Sequence, residues 1–246
     1  DTHFADAPLE ANLPVLLALS DIWNVNALGL ASLAICPYAD GMGLFVPYLQ
    51  QLMMESNGKR VGEDGAPLPL QGAPVIWGVP GTDCQHSVFQ WMHQSPAEAP
   101  AEFLLPVAPE GARAEHQEAL MANCLAQASA LMLGRDRAAT AALGGDPALV
   151  PHREFPGNRP STLILFDGLT PRRLGALIAL YEHRTAAQAA MLGFNAFDQW
   201  GVEYGKSLAG RIAPLLQTGG EAPDPATAAS LATIRAMRAG PGGSDA

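Results

Sequence analysis

Short runs of consecutive apolar residues alternate along this chain with longer stretches in which apolar positions return every three or four residues. Four of the short runs have the length of buried strands: Ala31 to Cys36, ended by Pro37; Pro74-Val75-Ile76-Trp77-Gly78; Glu102 to Val107; and Thr162 to Phe166. Helical spacing is found from Leu13 to Leu33, with Pro14 tolerable in a first turn, and again from Leu44 to Met54. The second of these carries Leu44, Tyr48, Leu49, Leu52 and Met53 on its apolar side and ends near Asn57-Gly58, a pair suited to a left-handed cap. A helix starting near Cys84, after the turn Pro80-Gly81-Thr82-Asp83, holds Val88, Phe89, Trp91 and Met92.

A long helix is predicted from about Ala114 to Leu133, followed by an Ala-, Gly- and Pro-rich connection with one short helix. Thr170-Pro171 opens the next helix, proline being well suited to the first helical position, and that helix is predicted to end at a Glu182-His183-Arg184 turn. Asp198 and Gln199 open another, running through Leu208, Ile212, Leu215 and Leu216, with Trp200 as a core plug. Asp224-Pro225 starts a last helix to about Arg238. Val61 to Gln71 is polar and reads as a loop or small hairpin. Strands alternating with helices predict parallel βαβ units, hence an α/β domain with a layered parallel sheet and helices on both faces. The expected boundaries are one domain over 1–218, a terminal helix over 219–238 and a disordered tail over 239–246.

Composition narrows the function. A net charge of −10 disfavours nucleic acid as the main partner, because a phosphate backbone needs a basic footprint. No apolar run is long enough to span a bilayer, and the N-terminal residues carry no leader pattern. Cys36, Cys84 and Cys124 are far apart in sequence, which fits a reducing cytoplasm better than a disulfide scaffold or structural zinc.

In parallel sheets ligands gather beyond the C-terminal strand ends, and polar clusters stand at three candidate loops. Glu55 follows three apolar residues at a helix end, where the dipole disfavours a carboxylate; it is either a functional base or an exposed acid beside Lys59. His86 is expected in the first turn of its helix, where the dipole favours the neutral ring able to give or take a proton; alternatively it merely completes the turn. His93 stands seven residues on, so the two histidines lack the spacing of a metal pair. Cys84 with His86 is a weak nucleophile pair, since residues two apart on a helix do not face each other. His183 reads as a helix C-terminal cation, and Asn158-Arg159-Pro160 as a loop fixture. Lys206 is either a solvated lysine or an ammonium beside a cavity that Gln199 also lines.

Taken together, several segments resemble the glucose-6-phosphate isomerase (phosphoglucose isomerase) family. They are Ala7 to Pro14, Tyr48 to Leu52 with Met54-Glu55-Ser56-Asn57-Gly58-Lys59, and Trp77-Gly78 with Pro80-Gly81-Thr82 and Gln85-His86. Gly157 to Pro160, Leu174 to His183 and Phe197 to Lys206 follow in the same order. The resemblance implies a sugar-isomerase (SIS) domain and only the C-terminal half of a family member. It implies Glu55 as catalytic base, His86 as the ring-opening histidine serving the neighbouring subunit of a homodimer, Lys206 as an active-site lysine and Gln199 as a substrate-site glutamine. The implied reaction interconverts glucose 6-phosphate and fructose 6-phosphate through a cis-enediolate, with no metal or organic cofactor. An arginine and a phosphate-holding loop belong to the half that is not matched, so the chain alone is expected to be inactive. Val79, Asp83 and Cys84 depart from the family pattern, which has Glu, Asn and Gly there, and so alter the histidine turn. Two other readings stay open: a non-catalytic sugar-phosphate-binding regulatory module and a thiol enzyme using Cys84.

Overall fold

A computed structural model of the chain describes residues 1–108, 111 and 113–240; the end of the expected tail, 241–246, lies outside the described residues. Four strands, β1 (Ser32–Pro37), β2 (Val75–Trp77), β3 (Ala101–Pro106) and β4 (Ser161–Phe166), form one sheet in the order β2-β1-β3-β4, every pair parallel. The helices in chain order are α1 (Thr2–Asp6), α2 (Leu13–Asn26), α3 (Phe45–Leu49), α4 (Gly81–Ser87), α5 (Phe89–Gln94) and α6 (Ala114–Leu133). They continue with α7 (Arg137–Ala142), α8 (Pro171–Leu192), α9 (Trp200–Ile212), α10 (Leu215–Thr218) and α11 (Pro225–Ala239). Among the described residues no helix is long and apolar enough to cross a membrane. The expected α/β architecture is what the chain adopts.

Alternation along the strands sorts the core into two layers. Leu33 and Ile35 of β1, Ile76 and Leu104 point to one face, where Phe45, Val46, Leu49 and Met53 meet Leu177 and Tyr181 of α8. Ala34, Cys36, Ala101, Phe103 and Leu105 point to the other, packed against Cys84, Phe89 and Met92 of α4 and α5 and Cys124 and Leu131 of α6. β2 is an edge strand, and its Ile76 is satisfied by side chains. Gln50 Nε2 donates to the Ile76 carbonyl at 3.0 Å, and the Ile76 amide donates to Met54 Sδ at 3.4 Å.

Several boundaries differ from expectation. The first long helix stops at Asn26, not Leu33, because Ala27-Leu28-Gly29 leads into a turn with Gly29 at φ 71°. The segment after α3 is a π-helix over Gln50–Glu55, where one regular helix to Met54 was expected. α8 does not end at Glu182-His183-Arg184. It runs to Leu192 and is capped by Gly193 in the left-handed region, the first residue able to end it. His183 therefore sits inside the helix. There it contacts Asp1 at 2.9 Å and stacks on Phe4, its ring centroid 4.3 Å away. Pro214 divides the next predicted helix into α9 and α10. Arg159 behaves as expected, donating to the carbonyls of Ser95 and Ala97 and so pinning that loop.

The continuation of α8 brings Arg184 into the interior. Its side chain is 1% exposed; Nε and Nη2 donate to the two carboxylate oxygens of Asp21 at 2.8 and 2.6 Å. Nη1 donates to Glu102 Oε2 at 3.0 Å, Nη2 lies 2.7 Å from Glu102 Oε1, and Tyr181 Oη donates to Glu102 Oε2 at 2.7 Å. Burial works against the guanidinium charge, but the two carboxylates hold it on, above its ordinary range. Burial likewise raises Asp21, with Arg184 pulling the other way. One guanidinium thus ties α2, β3 and α8 together.

Contacts divide the chain after Phe197 into a first unit and a second that begins at Asp198. In the second, Leu231 of α11 is buried, and Arg235 Nη1 donates to the Leu215 carbonyl at 3.2 Å. Trp200 is 71% exposed, so it is not the expected core plug. Replacing Arg184 by Leu strands two buried carboxylates and is expected to cost about 3–5 kcal/mol. By thermal unfolding, that is a loss on the order of 6–20 °C in Tm for a chain of this size. Arg173→Leu, which breaks a surface pair with Asp167, is expected to move Tm far less.

Candidate active site

Glu55 is the last residue of the π-helix, half-buried, and the chain just beyond it is locked in place. Asn57 is fully buried; its Nδ2 donates to Gln188 Oε1 at 2.7 Å and to the Thr185 carbonyl at 3.0 Å, both on α8. The next residue must be glycine for a steric reason. The Gly58 amide donates to the Met54 carbonyl at 2.9 Å, and a Cβ at 58 would lie within 2.4 Å of that same oxygen. The Ser-Asn-Gly that follows Glu55 is thus a device for turning the chain sharply while fastening it to α8. π-turns are frequent at functional sites, and this one ends on the acid singled out by its sequence position.

His86 is placed differently from expectation. α4 starts at Gly81, three residues earlier than predicted, so His86 occupies its last turn and is exposed. The positive end of the helix is therefore not beside the ring, and the dipole argument for a neutral imidazole does not apply. Gln85 Nε2 donates to Asn123 Oδ1 on α6 at 3.2 Å, and Ser87 Oγ donates to the Asp83 carbonyl at 2.7 Å, which steady the turn. His93 is engaged elsewhere, 2.8 Å from Gln127 Oε1. Among the described residues no cluster of His, Cys, Asp or Glu is arranged to hold a metal ion.

The structure does not bring Glu55 and His86 together. The π-helix belongs to the layer of Leu33 and Ile35, whereas α4 belongs to the layer of Ala34 and Cys36, on the other side of the sheet. Gln199 and Lys206 lie in the second unit: Gln199 is the N-cap of α9 and Lys206 stands about two turns along it. Both are exposed. An apolar cleft of about 630 Å3 opens along β4 and α8, lined by Phe4, Leu13, Ile164, Phe166, Leu180 and neighbours. Neither Glu55 nor His86 lines it, so its size is no guide to the chemistry.

Three comparisons bear on this arrangement. A family model described as phosphoglucose isomerase matches residues 1–231. The chain belongs to the phosphoglucose isomerase family. A glucose-6-phosphate isomerase of Methylibium petroleiphilum is 50% identical over 238 residues, taking in 89% of this chain and 44% of that protein. One from Methylocella silvestris is 47% identical over 98% of this chain and 46% of its own length. The crystal structure of a glucose-6-phosphate isomerase from Chlamydia trachomatis aligns with a TM-score of 0.82 at 35% identity, covering 96% of this chain and 44% of that one. A hypothetical protein from Thermus thermophilus, 23% identical with a TM-score of 0.60, shares the fold. The chain spans about half the length of the curated phosphoglucose isomerase relatives it matches.

Sequence reading missed the Asn57–Gln188 lock and the Arg184 network. The signal for the second was present as lone acids, Asp21 and Glu102, inside otherwise apolar elements. Asn57→Ala removes the link to α8 and leaves the buried Gln188 amide without its partner. It is expected to destabilise the chain by about 1–3 kcal/mol in denaturant unfolding. Glu55→Gln is expected to leave the unfolding midpoint nearly unchanged, because the lock lies beyond it.

Proposed function

We propose that this chain is the part of a glucose-6-phosphate isomerase that supplies the catalytic base. The observation carrying the reading is the fastened turn at Glu55. A carboxylate that must take a proton from one carbon and return it to the next has to be held still, and the buried lock at Asn57 does this. In this reading Glu55 moves the proton between C2 and C1 of an opened hexose 6-phosphate, through a cis-enediolate. His86 and Lys206 handle protons on the ring and hydroxyl oxygens, and Gln199 binds the sugar phosphate. The steps are proton transfers, which side chains of these types perform unaided.

The placement of Glu55 and His86 on opposite faces of one sheet supports a further part of the proposal. In this reading each copy gives Glu55 to one site and His86 to the site of a second copy in a homodimer. A small anionic substrate is compatible with the net charge of −10, since it needs only local donors, whereas nucleic acid is not. The compartment we infer is the cytoplasm, with which three free cysteines agree.

The 246-residue chain by itself is expected to show little or no interconversion in an assay for fructose 6-phosphate formation; ordinary turnover would overturn this. In the longer enzyme, Glu55→Gln is expected to lower kcat by about 10²–10⁴ while substrate binding persists. A regulatory binder, the competing reading, would lose nothing on that substitution.

A further inference from the structure

The three cysteines, far apart in sequence, meet in the layer that carries α4. Cys36 and Cys84 are both fully buried, and their sulfurs are 3.2 Å apart; Cys84 Sγ is also 3.0 Å from the Val79 carbonyl. The approach is built into the backbone. Gly78 has φ 133°, and a Cβ there would lie 2.0 Å from the Ile35 carbonyl oxygen, so the link from β2 to α4 is pressed onto β1 beside Cys36. Only a glycine allows this, and the next helix then sets its first-turn cysteine against the strand.

We propose that Cys36 and Cys84 are a redox site, oxidised by a hydroperoxide to a reversible disulfide that fastens α4, the helix of His86, to β1. The Cys84 thiolate attacks the peroxide oxygen, forming a sulfenic acid and releasing the other oxygen as hydroxide, which takes a proton to become water. The Cys36 thiol then attacks that sulfur as its proton passes to the departing hydroxide, closing the S–S bond and releasing water. Two thiols are oxidised and one peroxide is reduced to two waters. The order of attack follows from position, since Cys84 sits on the seven-residue helix α4 whereas Cys36 lies within strand β1. The hydrogen bond between the sulfurs lowers Cys84 below the ordinary thiol range and, with burial, raises Cys36. Burial pushes Cys124 up to about 12, and the sulfur–sulfur contact joins Cys84 to Cys36, not to Cys124.

Access to the buried sulfur comes through α4. This helix has seven residues; Thr82, Asp83, His86 and Ser87 are exposed, and only Gly81 and Cys84 are buried. So short an element opens locally at far lower cost than the sheet. A transient disulfide of this kind suits a compartment in which thiols are normally kept reduced. The chemistry of the pair does not depend on any catalytic role of His86.

The test treats the purified 246-residue chain with hydrogen peroxide, traps free thiols by alkylation, and maps the cysteines by peptide mass spectrometry. The expected product is a Cys36–Cys84 linked peptide, reversed by dithiothreitol, with Cys124 still alkylated and the same yield in Cys124→Ser. Hydrogen exchange over 81–87 is expected to slow in the oxidised chain. Three free thiols after treatment, a link that includes Cys124, or arrest of Cys84 as a sulfinic acid would each overturn the proposal. Unchanged exchange over 81–87 would overturn the fastening of α4. Cys36→Ser, which leaves a hydroxyl facing Cys84 but removes the resolving thiol, is expected to accumulate the sulfenic acid, trapped by dimedone.

Discussion

Everything in the first unit leans on one guanidinium. Arg184 is wholly buried, and its charge is tolerated because two carboxylates from distant parts of the sequence close on it: Asp21 from α2 and Glu102 from β3. Taking three charges out of water is expensive, and their mutual attraction offsets the cost only when the donors are well satisfied. Here the bidentate contact to Asp21 and the extra hydrogen bond from Tyr181 to Glu102 supply that satisfaction. The network also selects geometry. An apolar core would let α2 and α8 slide by a turn at modest cost, whereas a slide here would leave a charge unpaired in the interior.

The same helix fixes the candidate base. Next to Arg184 and one turn beyond it, Thr185 and Gln188 of α8 receive Asn57 from the turn after Glu55. The ion network sets where α8 lies on the sheet, and α8 in turn sets where the Glu55 turn is held. This is a short physical chain from a buried charge cluster to the placement of a reactive carboxylate, with each link a hydrogen bond of ordinary length.

The fold was legible because its signals are local. Four short apolar runs between helical stretches admit few arrangements other than a parallel sheet, and each strand fell within a residue or two of its expected bounds. What escaped was set by tertiary contacts. Three polar residues at Glu182-His183-Arg184 look like an end of α8, yet the Ala-rich run to Leu192 continues the helix as far as Gly193, and burial of Arg184 against two acids fixes it in place. The π-turn at Gln50–Glu55 is equally silent in sequence, since its apolar spacing differs from an α-helix by one residue over a single turn. His86 was misplaced within its helix because Gly81 and Thr82 read as a turn, yet Gly81 is already helical. Trp200 was assigned to a core on its size alone and is instead exposed.

The first unit closes its own core. Its two apolar layers are built from its own elements, and Arg184 finds both of its carboxylate partners within the unit. Its outer faces are less self-sufficient: Leu16, Leu19 and Trp23 stand at three- and four-residue spacing on the solvent side of α2, 40–62% exposed. An apolar stripe of that kind on a folded surface marks a place where protein normally packs. The reactive groups follow the same division. A sheet separates its two faces by the full thickness of the backbone and its side chains, and the elements that carry Glu55 and His86 pack on opposite ones. Under the proposed function, a scaffold that carries Glu55 on one face and His86 on the other is organised to share its sites with a second copy.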